Sequence, residues 1–160
     1  MTNIFPIIFL LSFFPKNEDV CTCPPTGNWQ KATPKEYNYV NDVIIGDVIN
    51  VSKDQFEIIV CTVFKGNLKP GQKINGENYG TCGPYINKTG EWLVFGQQFD
   101  GFRVNECGIS SKIDDTFPLL PPPPKESETI KNLFSESRQK EAMEIRIKQI
   151  SLLREMSQSR

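Results

Sequence analysis

The chain contains no histidine in its 160 residues. That absence removes the His-based triad, the imidazole general base and every metal site that needs a ring nitrogen. Charge of one sign is missing too. Lys and Arg total 18, Asp and Glu 19, and the formal net charge is −1. Nothing in that balance attracts nucleic acid or an anionic membrane surface. Long hydrophobic runs are also lacking. The most continuous apolar stretch, Ile4 to Phe14, is too short for a membrane-crossing helix and has the length of a signal-peptide core. Paired carboxylates and a Gly-rich phosphate loop are missing in any supporting context, so no enzyme activity and no cofactor are expected.

What is present points to an oxidising compartment. The five cysteines are Cys21, Cys23, Cys61, Cys82 and Cys107. An odd count leaves at least one thiol unpaired or pairing between chains. Cys21 and Cys23 are one residue apart and cannot comfortably bond to each other, so each needs a distant partner. Four-thiolate zinc is the competing use, although the chain lacks the paired C-x-x-C knuckles of most structural zinc sites. With a signal-like N-terminus, disulfides are the better reading. Residues 1–20 are accordingly read as a signal peptide and connector. Glu18, Asp19 and Val20, rather than a small-x-small pattern, precede Cys21.

Residues 21–113 have the texture of a β domain. Short apolar or alternating runs are separated by Gly, Asn and Pro. Expected strands are Val43 to Val51, Phe56 to Phe64, Lys73 to Asn75, Glu91 to Gly96 and Phe102 to Asn105. Gly46, inside the first, suits a bulge or a barrel bend. Pro34 to Asn41 is expected to form a helical turn or two, and 76–90 a long loop pinned by Cys82. Five short strands hide their edges best by curling into an oligonucleotide/oligosaccharide-binding type of barrel. Periodicity alone does not separate that from a small sandwich. Residues 114–125, with four consecutive prolines from Pro121 to Pro124, read as an extended linker. Residues 126–156 read as a helix. Met143, Ile147, Ile150 and Leu153 fall on one face and Ile145, Leu152 and Met156 on the other.

Several of these segments together resemble the N-terminal, netrin-like domain of the tissue inhibitors of metalloproteinases. Cys21-Thr22-Cys23-x-Pro25 is similar to the family's opening motif. Asp42-Val43-Ile44-Ile45-Gly46 resembles the start of its first strand, and Phe56-Glu57-Ile58 followed by Val63-Phe64-Lys65-Gly66 its second. Cys82-Gly83, Trp92-Leu93-Val94-Phe95-Gly96 and Cys107 follow in the family's order. The resemblance implies the pairings Cys21–Cys82 and Cys23–Cys107, and a five-stranded barrel. It also implies a mechanism. The α-amine and carbonyl of Cys21, as the first residue, would chelate a protease's zinc, and Thr22, Cys23, Pro24, Pro25, Cys82, Gly83 and Pro84 would line the contact. The family's third disulfide in this domain and its second domain have no counterpart in this sequence. Cys61 fits no family position and reads as a small buried hydrophobe.

The expectation is therefore a secreted, extracellular protein (periplasmic if bacterial) that resembles a metalloproteinase inhibitor, binding a zinc metalloproteinase or another extracellular protein. A netrin-like protein-binding module without protease inhibition is the alternative. A redox or metal-binding protein using Cys21, Cys23, Cys82 and Cys107 is a third. No nucleic acid, no stable membrane span and no intrinsic metal are expected.

Overall fold

The computed structural model describes residues 21–24, 27–80, 82–115 and 136–159. The expected signal peptide, Pro25 and the proline run of the linker lie outside them. In chain order the elements are α1 (Trp29–Tyr39), β1 (Asp42–Ser52), β2 (Gln55–Lys65), β3 (Lys73–Glu77), β4 (Gly90–Phe99), β5 (Gly101–Val104), β6 (Ser111–Lys112) and α2 (Glu136–Gln158).

The protein is mainly β. Strand order is β1-β2-β3-β5-β4-β6, and β1 also pairs with β4. That last pairing closes β1 to β5 into a barrel, with β6 added outside it on β4. All pairings are antiparallel except β3 with β5. Closure removes the exposed edges that an open five-stranded sheet would carry. The sandwich alternative is thereby excluded. Gly46 is where β1 bends. Its register with β2 shifts between Ile45 and Gly46. A Cβ there would collide with Ile58 Cγ2, so the close approach of β2 demands glycine.

The run Trp92-Leu93-Val94-Phe95 explains how the molecule is layered. All four residues are buried. Side chains alternate across a strand, so Trp92 and Val94 point into the barrel with Ile44, Phe56, Ile58 and Phe102. Leu93 and Phe95 point outward and join Tyr37, Val40, Phe64, Ile109 and Leu153. One strand thus serves two cores, and the second is roofed by both helices.

α1 starts earlier than expected. Asn28 caps it, its Oδ1 accepting from the Gln30 amide at 2.8 Å, a standard use of Asn at a helix start. The helix then runs through Pro34 rather than beginning there. Its other end is held by the Phe64-Lys65-Gly66 segment. Tyr37 Oη donates to the Phe64 carbonyl at 3.0 Å, and Lys65 Nζ donates to the Tyr37 and Val40 carbonyls. A cation at a helix C-terminus satisfies orphan carbonyls and opposes the dipole.

α2 corrects the two-faced reading of the C-terminal helix. Its buried residues are Ala142, Arg146, Gln149 and Leu153, one stripe at helical spacing. Ile150 and Met156 flank the stripe against the outer core. Met143 and Ile147 instead face solvent, at 43% and 58% exposure. Residues 126–135 of the expected helix lie outside the described residues. Among the described residues, no helix is long and apolar enough to cross a membrane.

Candidate functional site

The site is built where the N-terminal segment meets two loops of the barrel. Cys21 is joined to Cys82 and Cys23 to Cys107, with Cα separations of 5.3 and 5.2 Å. Cys21 is half-buried, while Thr22, Cys23 and Pro24 are exposed. The backbone of 21–24 is therefore tied down through sulfur while most of its own surface remains open. Covalent tethering makes this combination possible, since the segment does not have to bury itself to be ordered.

The two receiving loops are themselves fastened. Asn78 holds the Cys82 loop with both ends of its amide: Oδ1 accepts from the Ile86 amide and Nδ2 donates to the Ile86 carbonyl, each at 2.9 Å. The Cys107 amide donates to the Gly83 carbonyl at 2.7 Å, which puts the two loops side by side. Gly83 and Pro84, joined by a cis peptide, are half-buried beside Cys82.

Glu36 of α1 completes the support, a role that no sequence motif signals. Its carboxylate accepts from the Ile109 amide at 2.8 Å and from Asn105 Nδ2 at 3.2 Å. These residues bracket Cys107. A Cβ on Gly108 would strike Glu36 Oε1, so the carboxylate lies directly against the turn. Burial pushes its pKa up to about 7, and the Asn105 and Ile109 hydrogen bonds oppose that rise. A chain of contacts therefore runs from α1 through Glu36 to Cys107, and from Cys107 to both Cys23 and Gly83.

All of the candidate contact residues except Pro25 fall among the described residues. The structure brings Cys21, Cys23, Cys82 and Cys107 together, their sulfurs all within 4.8 Å of one another. Cys61 stands apart and corrects its expected burial. It is an exposed free thiol because β2 alternates: Phe56, Ile58 and Val60 point inward, while Ile59 and Cys61 point out.

A second surface feature was not foreseen. The Arg103 guanidinium lies 4.5 Å from the Tyr79 ring centre and 5.6 Å from that of Phe99. Tyr79 and Phe99 are 59% and 63% exposed. Arg103 also pairs with Glu77 at 3.4 Å. Exposed aromatics ordered by an arginine are common at protein contacts.

No protein-family model and no curated protein matches the chain.

Proposed function

We propose that the protein is a secreted metalloproteinase-inhibitor-like protein whose N-terminal wedge, Cys21 to Pro25 with the Cys82-Gly83-Pro84 loop beside it, enters a protease cleft. One observation carries this reading: an exposed backbone segment is clamped at both cysteines and presented next to a second loop. With the chain beginning at Cys21, its α-amine and carbonyl oxygen form a five-membered chelate. That chelate would displace water from the open position of a catalytic zinc. The amine must be deprotonated to bind, which an α-amino pKa near ~8 allows at neutral pH. The two disulfides limit the ordering cost of binding. An amide nitrogen in place of the amine has no available lone pair, so the chelate requires cleavage after Val20.

The test is the intact mass and N-terminal sequence of the secreted, unreduced protein. A chain starting at Cys21, four hydrogens lighter than its reduced form because of the two disulfides, is the expected result. Acetylating that amine should weaken inhibition of a sensitive zinc protease by at least about a hundredfold, or roughly 3 kcal/mol. Residues retained ahead of Cys21 would eliminate the chelate.

The Tyr79–Arg103–Phe99 surface supports a second reading, a netrin-like module binding an extracellular protein without inhibiting a protease. An inhibition panel that stays negative with a free Cys21 amine, together with binding abolished by Phe99→Ala, would select it.

A further inference from the structure

Four of the five cysteines share one small volume, although no C-x-x-C spacing announces it. Cys21 Sγ and Cys23 Sγ, which belong to different disulfides, are 3.6 Å apart. All four sulfurs lie within 4.8 Å of one another. In a tetrahedral zinc tetrathiolate with Zn–S bonds near 2.3 Å, neighbouring sulfurs stand about 3.8 Å apart. The Cys21–Cys23 contact is thus already on the scale of a metal centre, and the bonded partners have to separate.

We propose that these sulfurs form a second, mutually exclusive state: reduced, Cys21, Cys23, Cys82 and Cys107 bind one thiophilic divalent cation of the zinc class. This inference does not rest on the inhibitor reading, since it concerns the reduced chain with any N-terminus.

The chemistry balances with an external dithiol as reductant. Each disulfide takes up two electrons and two protons, and the dithiol leaves as its own disulfide. The four thiols then release four protons as they close on the cation, giving a centre of net charge −2. Cys23 is exposed and the other three are half-buried, so reductant and metal have a way in.

Half of the site does not depend on sulfur. Cys82 and Cys107 sit on loops already joined by the Cys107 amide and the Gly83 carbonyl. Those loops are fixed independently by Asn78 and Glu36. Cys21 and Cys23 lie on the arm ahead of α1 and supply the remaining ligands. Two ligands on a fixed platform and two on an arm make metal binding a way to dock the arm where no disulfide can form.

Exposed Cys61 is an internal reference for the test. The full chain is reduced with a phosphine, freed of reductant without air, and titrated with Co²⁺ and then Zn²⁺. The expected Co²⁺ spectrum is the intense tetrahedral tetrathiolate pattern, saturating at one ion per chain and bleached by Zn²⁺. With one equivalent of Zn²⁺, thiols reactive toward an aromatic disulfide reagent should fall from five to one. Cys61→Ser should keep the spectrum and lose the remaining reactive thiol. Cys82→Ser should lose the tetrathiolate spectrum. An unchanged aqueous Co²⁺ spectrum, or fewer than four thiols shielded, overturns the proposal whether the reduced chain is folded or not.

Discussion

The two ends of the described chain fasten to the same barrel by opposite means. The N-terminal segment is held by two disulfides and leaves Thr22, Cys23 and Pro24 exposed. The C-terminal helix has no covalent link among the described residues and must bury itself to stay. Leu153 enters the outer core fully buried. Beside it runs a buried polar seam. Arg146 donates to Ser111 Oγ at 2.7 Å and to Gln149 Oε1 at 2.8 Å, and Gln149 Nε2 donates to Thr33 Oγ1 at 2.9 Å. An end that buries its residues has little surface left for a partner. An end stapled through sulfur keeps its backbone available. The difference fits the proposed division, with recognition at residues 21–24 and support from α2.

The largest expected effect tests the stapled end. The disulfides span sequence separations of 61 and 84 residues. Chain entropy gives about 4 kcal/mol for each at that length, comparable with the whole stability of a small domain. Replacing Cys23 and Cys107 together by Ser should lower the denaturant midpoint more than any substitution in α2. If it does not, the arm is held by something other than sulfur, and the contrast between the two ends collapses.

The buried end is tested by Leu153→Ala, expected to cost about 3 kcal/mol through lost burial and a cavity. Arg146 sharpens the point. Burial lowers its pKa to about 10, with Asp115 opposing that fall, so it remains charged at neutral pH. Its Nε finds no partner among the described residues. Arg146→Ala should cost about 3 kcal/mol, because it removes the stem's packing and strands buried polar partners. Arg146→Met should cost less than about 1 kcal/mol, since a buried charge replaced by a well-packed apolar chain is often near neutral. Equal losses in the two variants, measured by urea unfolding, would mean that the charge itself fastens the helix.

How much of this was legible follows the same division. β1 to β5 were readable from β-branched runs between Gly, Asn and Pro, and Gly46 from its place inside such a run. The barrel was expected from the number of short strands and the need to hide their edges, but the β1–β4 pairing that closes it was not, because it joins segments far apart in sequence. β6 has two residues and offers no period to detect. In α2 the apolar residues misled: the buried stripe also holds Arg146 and Gln149, whose partners Thr33, Ser111 and the Lys112 carbonyl lie far away in sequence. The Cys21–Cys82 and Cys23–Cys107 pairings came with the family resemblance, since spacing alone permits others. Cys61 was misread although the alternation of β2 already placed it outside.

Glu36 bears on the junction between these regions, because it supports the Cys107 turn from a helix that also packs on the outer core. Its folded pKa of about 7 lies above the group's ordinary value of 4.5. Below pH 4.5 the carboxyl is protonated in both folded and unfolded chains, and its contribution is at its most favourable. As pH rises from 4.5 to 7 the unfolded chain ionises first, so the unfolded state binds fewer protons and stability falls. The fall should total about 3 kcal/mol and level off above pH 7. Glu36→Gln removes the titration and keeps one acceptor for the Ile109 amide or Asn105. The variant should therefore show a flatter stability profile between pH 4.5 and 7. Because the turn carries Cys107, the wild-type Cys23–Cys107 bond should also become easier to reduce as pH rises across this window, beyond the thiolate effect on an unfolded peptide, and Glu36→Gln should abolish that excess. A profile unchanged by the substitution would separate the arm from α1 and leave its position to sulfur alone.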